Sequence, residues 1–292
     1  MSRQMYKNMK RKTILITGAT DGIGKQTATE LHKSGHHIIV HGRTQASADR
    51  AAKEIAGTGG DEKIDVVSAD FGDLAQVKEM ALAISGKYDK LDVLINNAGI
   101  YQNRFQQSAQ GFELTFAVNH LAHFMLTLHL LPLIIQAQNG RIVNVASMTH
   151  ATSLNLDSIN DPQHFGGHSS YARSKLCNLL FSNYLAREAA GLFTVNALHP
   201  GVVSTKLLAK GYGMQGIDVE QGAETSVFLA HAQEVENVTG KYFVDKKARH
   251  PAKVAGDEDL QEALWKKTLA ITRPFLPSPD HHPILQRLMQ IA

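Results

Sequence analysis

Six short apolar runs, rich in β-branched residues, recur along the chain with longer amphipathic stretches between them. They are TILIT (13–17), HIIVH (37–41), IDVVSA (64–69), DVLI (92–95), RIVNVAS (141–147) and TVNAL (194–198). Strands this continuously apolar are buried on both faces, and strands alternating with helix-period segments are joined by crossovers. The pattern therefore predicts a parallel β-sheet with helices on both sides. No internal repeat, low-complexity tract or Pro/Gly/Ser linker interrupts it, which predicts a single domain over residues 1–292. Ligands of such sheets gather at the carboxyl ends of the strands, so the residues after each run carry the functional reading.

The first run is followed by TGATDGIGKQTATEL, where Gly18, Gly22 and Gly24 stand as G-x-x-x-G-x-G before a helix expected to start near Ile23. Glycines there permit a tight turn and let backbone N–H groups and a helix N-terminus approach a pyrophosphate. The spacing is not G-x-G-x-x-G, but its place between strand and helix predicts a dinucleotide site in a Rossmann-type, doubly wound α/β fold. Arg43, in HGRT at the end of the second run, lies about twenty residues further on. A base there suits the 2′-phosphate of NADP, where an acid would suit the ribose hydroxyls of NAD. Asp70 after the third run is placed to accept from an adenine amino group or to cap the next helix. The later runs lead into NNAG (96–99), Ser147, and HPGVVSTK with Pro200 and Gly201.

In HSSYARSKLCN, Tyr171 and Lys175 are four residues apart in a segment that reads as helix. One turn separates them, so they share a face, and an ammonium near a phenol favours the phenolate. Such pairs also occur as ordinary surface cover. The strand ends around it give this pair a functional reading.

Composition narrows the rest. With 292 residues, 43% hydrophobic and 20% charged, the chain has the make-up of a soluble globular protein large enough for one α/β domain. A net charge of +3 with scattered basic residues argues against nucleic-acid binding, and the basic run KNMKRK (7–12) reads as a solvated arm. One cysteine, Cys177, rules out an intrachain disulfide framework and suits a reducing compartment, so a soluble cytoplasmic protein is the expectation. The longest apolar segment, FMLTLHLLPLIIQA (124–137), contains His129 and Pro132 and falls short of the ~20 residues of a membrane span. Fifteen histidines raise a metal site, above all His120 with His123, but further ligands are not evident and the pair reads as packing and interface; no metal is expected.

Taken in order, TGATDGIG, NNAG, Asn119 in VNHLAHF, Ser147, YARSK and PGVVST resemble the short-chain dehydrogenase/reductase family from about Lys12 to Val244. SKLCNLLFSNYLAREAAG and GKYFVDKKARHPAKVAGDEDLQEALWKKT resemble its retinol dehydrogenase-like branch, leaving 245–292 as a C-terminal extension. The resemblance implies Tyr171 as acid/base, Lys175 lowering its pKa and holding the nicotinamide ribose, Ser147 orienting the substrate oxygen, and Asn119 supporting a water to Lys175. It implies NADP(H) held by Gly18, Thr20, Asp21, Gly22, Ile23, Gly24, Arg43, Asp70, Phe71, Asn97, Ala98, Gly99, Tyr171, Lys175, Pro200, Gly201, Val203 and Thr205. It also implies a homodimer through the long helices beginning near residues 108 and 169.

Two segments are expected to face a small-molecule carbonyl or alcohol substrate. One is the insertion between Ser147 and Tyr171. The other is KLLAKGYGMQGIDVEQGAE (206–224), where Gly211, Gly213 and Gly216 suggest a mobile lid and Leu207, Leu208, Tyr212 and Met214 suggest a lipophilic substrate: a retinoid, a steroid or another apolar aldehyde or ketone. An NADP-binding sensor or scaffold and a nucleotide-sugar epimerase or dehydratase are the rival readings.

Overall fold

The computed structural model describes residues 11–60, 63–189 and 191–290; residues 7–10 of the basic run lie outside them. Each apolar run becomes a strand: β1 Thr13–Ile16, β2 His37–Gly42, β3 Ile64–Ser68, β4 Val93–Asn96, β5 Arg141–Val145 and β6 Thr194–His199. Two more, β7 Tyr242–Val244 and β8 Lys247–Arg249, complete a sheet of order β3-β2-β1-β4-β5-β6-β7-β8. All neighbours pair parallel except β7 and β8. The last two strands are three residues each, too short to show a period, and β8 is an exposed Lys-Ala-Arg edge.

The side-chain period of two sorts each central strand between two cores. Leu15, Ile39, Leu94 and Ile142 face one side, with α3 (Leu74–Lys87), α5 (Ala122–Gln136) and α6 (Gly167–Glu188). Ile14, Ile38, Val93 and Val143 face the other, with α1 (Gly22–Lys33), α2 (Gln45–Ala56) and α8 (Val219–His231). The strand order reverses between β1 and β4, and the crevice at that reversal is the usual ligand position in open α/β sheets.

The apolar segment ahead of β5 is longer than its sequence suggests. A short α4 (Leu114–Phe116), a π-helical turn (Ala117–Leu121) and α5 run on as one 23-residue helix, long and apolar enough to cross a membrane. Its most apolar window is 89% buried inside the protein, as befits a core helix.

Helix α3 and the sheet cover most of that helix, and the C-terminal segment adds to the cover. Helix α9 (Glu258–Thr272) lies against α6, and Trp265 packs on Phe124 and Tyr184, with ring centroids 4.8 and 4.5 Å apart. The Trp265 indole N–H donates to the Leu288 carbonyl of α10 (Pro283–Met289), and His129 donates to the Phe275 carbonyl. No residue from 111 to 135, nor from 170 to 186, is exposed. Along these stretches the two long helices expected to form a homodimer are covered by the chain's own core and C-terminal segment.

Candidate active site

The glycine turn after β1 is built by local necessity and by one long-range clasp. Gly18 and Gly22 have φ of 64° and 52°, the left-handed region that glycine enters without cost. Asp21 caps α1 by accepting from the Gly22 N–H at 2.9 Å, so the helix begins one residue earlier than expected. A Cβ on Gly24 would lie 2.3 Å from both the Gly18 carbonyl oxygen and Asn97 Nδ2. Asn97 Nδ2 donates to the carbonyls of Thr17 (2.8 Å) and Gly18 (3.2 Å), joining the turns after β1 and β4.

His41 braces the same turn. Its Nδ1 accepts from the Gly18 N–H at 3.0 Å and its Nε2–H donates to the Ala69 carbonyl at 3.1 Å, while its ring stacks on Phe71 at 4.4 Å. Burial lowers its pKa to about 4, which keeps the ring neutral and able to accept from Gly18.

Tyr171 and Lys175 stand one turn apart on α6, with Nζ 5.6 Å from the centre of the phenol ring. Both are almost wholly buried. Lys175 Nζ donates to the Val145 carbonyl at 2.9 Å, and burial lowers its pKa to about 8. Burial also pushes the Tyr171 phenol above its ordinary range, against a hydrogen bond from the Ser147 side that acts downward. In the chain alone desolvation is the largest influence on the Tyr171 phenol, and the Lys175 ammonium is engaged by the Val145 carbonyl.

Ser147 follows β5 and accepts from the Thr149 N–H at 3.0 Å. Asn119, fully buried in the π-helical turn, does not line the cleft. Its Oδ1 accepts from Ile100 N–H (2.8 Å), and its Nδ2 donates to the Ile100 carbonyl (3.1 Å) and Ser174 Oγ (3.0 Å). A Cβ on Gly99 would come within 3.5 Å of Asn119 Oδ1 and 3.6 Å of Lys175 Nζ, so these groups meet around Gly99.

One cleft of about 1270 Å³ gathers nearly all the expected residues: Gly18, Thr20, Asp21, Gly22, Ile23, Gly24, Arg43, Asp70, Phe71, Asn97, Ala98, Gly99, Ser147, Tyr171, Lys175, Pro200, Gly201, Val203 and Thr205. Such a volume exceeds the ~300–1,000 Å³ of a typical small-ligand pocket and leaves room for a dinucleotide and a second molecule. Asp70 spends one oxygen on the Gly72 N–H (2.8 Å), and Thr205 caps α7 (Lys206–Tyr212). Lys206 meets Asp21 at 2.6 Å, so α7 reaches across to the glycine turn.

The outer end of the cleft is apolar and aromatic. Tyr101 lies 5.6 Å from Tyr171 and 5.8 Å from Tyr212 by ring centroids, and Met148 and Met214 are more than half exposed at the rim. The insertion after Ser147 contributes only Met148 and Thr149 to the lining. Its remainder packs elsewhere: His150 accepts from the Ala252 N–H, Asp157 pairs with Lys267, and Ile159 is buried. The expected wall over the substrate entrance is instead supplied by α7 and the residues just after it. Among the described residues no cluster of three or more potential metal ligands occurs. His120 sits among Phe116, Phe124 and Phe181 and bonds Thr268 of α9.

A reversal-point crevice, a glycine turn against a helix N-terminus and a buried Tyr/Lys pair define a dinucleotide-binding oxidoreductase. The chain belongs to the short chain dehydrogenase family, whose signature it matches over residues 12–215. It is 35% identical to human retinol dehydrogenase 13, over 94% of this chain and 88% of that protein, and 38% identical to human retinol dehydrogenase 14, over 88% and 85%. A chloroplastic short-chain dehydrogenase, TIC 32 A of Brassica napus, is 34% identical over 88% of this chain. Among solved structures, an uncharacterised protein from Mycobacterium paratuberculosis superposes with a TM-score of 0.76 at 28% identity, covering 92% of this chain and 97% of that one. A candidate NAD(P)-dependent gluconate 5-dehydrogenase from Beutenbergia cavernae, solved with NADP, superposes with a TM-score of 0.66 at 27% identity, covering 82% and 96%. The protein is accordingly an oxidoreductase of the carbonyl/alcohol type.

Proposed function

We propose that the protein is an NADP(H)-dependent reductase/dehydrogenase of a lipophilic aldehyde, ketone or alcohol, with Tyr171 as its acid/base. What supports the cofactor is the lining of the cleft: the glycine turn Gly18, Gly22 and Gly24 and the first turn of α1 border it, with Gly24 letting that turn lie against the Gly18 carbonyl and Asn97. The glycine turn would hold the pyrophosphate, Asp70 the adenine, Asn97 to Gly99 with Lys175 the ribose, and Arg43 the 2′-phosphate. When bound, the cofactor supplies or accepts hydride at the substrate carbon.

The chain's own residues handle the oxygen. Ser147 and Tyr171 would hold it from one side of the cleft, and the phenol would give up its proton as negative charge develops there. A phenol kept protonated by burial is the right form for reduction; oxidation needs the phenolate. The apolar rim of Met148 and Met214, with Leu207, Leu208 and the Tyr212 ring in the lining, favours an apolar substrate body. A soluble, cytoplasmic protein goes with this reading.

The observation that carries it is the convergence of Ser147, Tyr171 and Lys175 with the glycine turn in one cleft. A turnover screen with NADPH and NADP over apolar aldehydes, ketones and alcohols tests it, with Tyr171→Phe alongside. Turnover in that variant should fall by about 10² or more while NADPH affinity stays near wild type. In the wild type, kcat/KM for reduction should be flat between about pH 6 and 8 and that for oxidation should rise, because the raised phenol pKa leaves phenolate scarce at the lower pH. Near-normal turnover in Tyr171→Phe, or oxidation falling with pH, would sink the assignment.

A further inference from the structure

His123 lies one helical turn after Asn119, fully buried, and faces no part of the cleft. Its ring nonetheless connects two parts of the site. Nδ1 lies 3.1 Å from the Asn119 main-chain oxygen, and Nε2 lies 3.0 Å from Thr17 Oγ1. A carbonyl oxygen can only accept, so Nδ1 carries the proton; a neutral ring then leaves Nε2 to accept from the Thr17 hydroxyl, whose single proton also has the Ile95 carbonyl within reach but further off, at 3.3 Å against 3.0 Å. That hydroxyl is also the acceptor for the N–H groups of Asn97 (2.8 Å) and Ala98 (2.9 Å). The chain of bonds has one direction: Asn97 and Ala98 N–H to Thr17 Oγ, Thr17 O–H to His123 Nε2, His123 Nδ1–H to the Asn119 carbonyl.

Both ends of this chain belong to the site. Asn97 and Ala98 line the cleft beside Gly99, and Asn119 holds Ile100 by its main chain in both directions, so Gly99 is gripped from either side. In the π-helical turn Ala117–Leu121 wider i→i−5 bonds, such as Ala122 N–H to the Ala117 carbonyl, replace the i→i−4 ladder around the Asn119 peptide. Neutrality of the ring is secured by its surroundings: burial and the nearby Lys175 charge lower its pKa to about 3, and Phe71 closes the edge at 5.4 Å.

We infer that His123 is a positioning residue of the Tyr171 proton-transfer site, its Nδ1–H holding the Asn119 carbonyl in the π-turn and its Nε2 fixing Thr17 beneath the Asn97–Ala98 turn. The inference rests on the acid/base reading of Tyr171. It assigns the sequence's His120/His123 pair two different tasks: His120 packs the core, whereas His123 orders the site.

Three substitutions separate positioning from packing. In His123→Asn the amide Nδ2 stands about where Nδ1 stood and still reaches the Asn119 carbonyl; in His123→Gln the amide extends toward Thr17; His123→Leu fills the space without either bond. His123→Leu and His123→Gln should lower kcat about tenfold with KM and the NADPH dissociation constant, read by fluorescence, little changed, and His123→Asn should recover most of the loss. In the free wild-type protein, 15N NMR of the imidazole should show the Nδ1–H tautomer. Turnover that follows the melting temperatures of the three variants, or an Nε2–H tautomer, would overturn the inference. Tyr171→Phe run in parallel keeps the two readings apart: full turnover there removes the acid/base reading, and the tautomer then decides the hydrogen-bond chain on its own.

Discussion

At the end of β2 the guanidinium of Arg43 stands exposed on the cleft wall, past the turn that His41 and Gly18 hold. NADP brings a 2′-phosphate that NAD lacks, and a guanidinium meets phosphate with paired donors. A charge-assisted hydrogen bond contributes about 1.5–3 kcal/mol, so Arg43 should favour NADPH over NADH by roughly ten- to a hundredfold. Arg43→Asp replaces attraction by like-charge repulsion and should abolish or reverse that preference. Fluorescence titration of both cofactors into both proteins measures it; an unchanged affinity ratio would assign the phosphate to another residue. Arg43, Ser147 and Tyr171 were legible in the sequence because each sits at a strand end or at helical spacing from a partner. Thr17, His41 and His123 were not. His41 bonds a backbone N–H 23 residues away and Thr17 a ring 106 residues away, and no local pattern marks a buried histidine as an acceptor rather than as filling.

At the scale of elements, the junction of β1 and α1 is the tightest part of the site. Helix α1 can begin where it does only because Gly24 lets its first turn lie on the Gly18 carbonyl and Asn97, and neither can retreat without moving the β1 or β4 turn. Gly24→Ala should therefore destabilise the protein by about 1–3 kcal/mol and weaken NADPH by about tenfold or more, as the helix N-terminus is pushed off the pyrophosphate site. Gly86→Ala is the matched control. Gly86 lies in α3 with open space around a new Cβ, and alanine there should stabilise by about 0.5–1 kcal/mol. Melting temperatures and NADPH titrations of the pair check this, and a Gly24→Ala protein that melts and binds like the wild type would overturn the close-contact argument. The six apolar runs showed themselves in sequence because continuous apolarity is what burial between two helix layers demands. Neither β7 and β8 nor the route of the insertion after Ser147 follows from such a rule, since short edge strands and surface loops are settled by partners far along the chain.

For the whole molecule, the C-terminal segment decides what the long helices can do. Sequence resemblance implied a homodimer through the long helices beginning near residues 108 and 169, and nothing local in residues 245–292 announced that they fold back over α6 and its neighbours. Trp265 is the peg of that arrangement: 1% exposed, stacked on Tyr184, edge-on to Phe124, and hydrogen-bonded to Leu288 so that α9 and α10 are held together. Trp265→Ala removes these ring contacts, opens a cavity among Phe124, Phe181 and Tyr184 and leaves the Leu288 carbonyl without its donor. Loss of a fully buried tryptophan costs about 3–5 kcal/mol, a large share of the ~5–15 kcal/mol that separates a folded domain from its unfolded chain. The damage should fall on one face. The glycine turn and Arg43 lie on the cleft and touch neither α9 nor α10, so at low temperature, where the variant is still folded, NADPH affinity should stay near wild type. On warming, α9 and α10 should loosen first and uncover the apolar surfaces of α5 and α6, which then become free to meet those of another copy. Light scattering during a thermal ramp should show the variant associating well below the wild-type melting temperature. A variant that melts with the wild type, or loses NADPH binding before it associates, would show that the C-terminal segment is not what covers these helices.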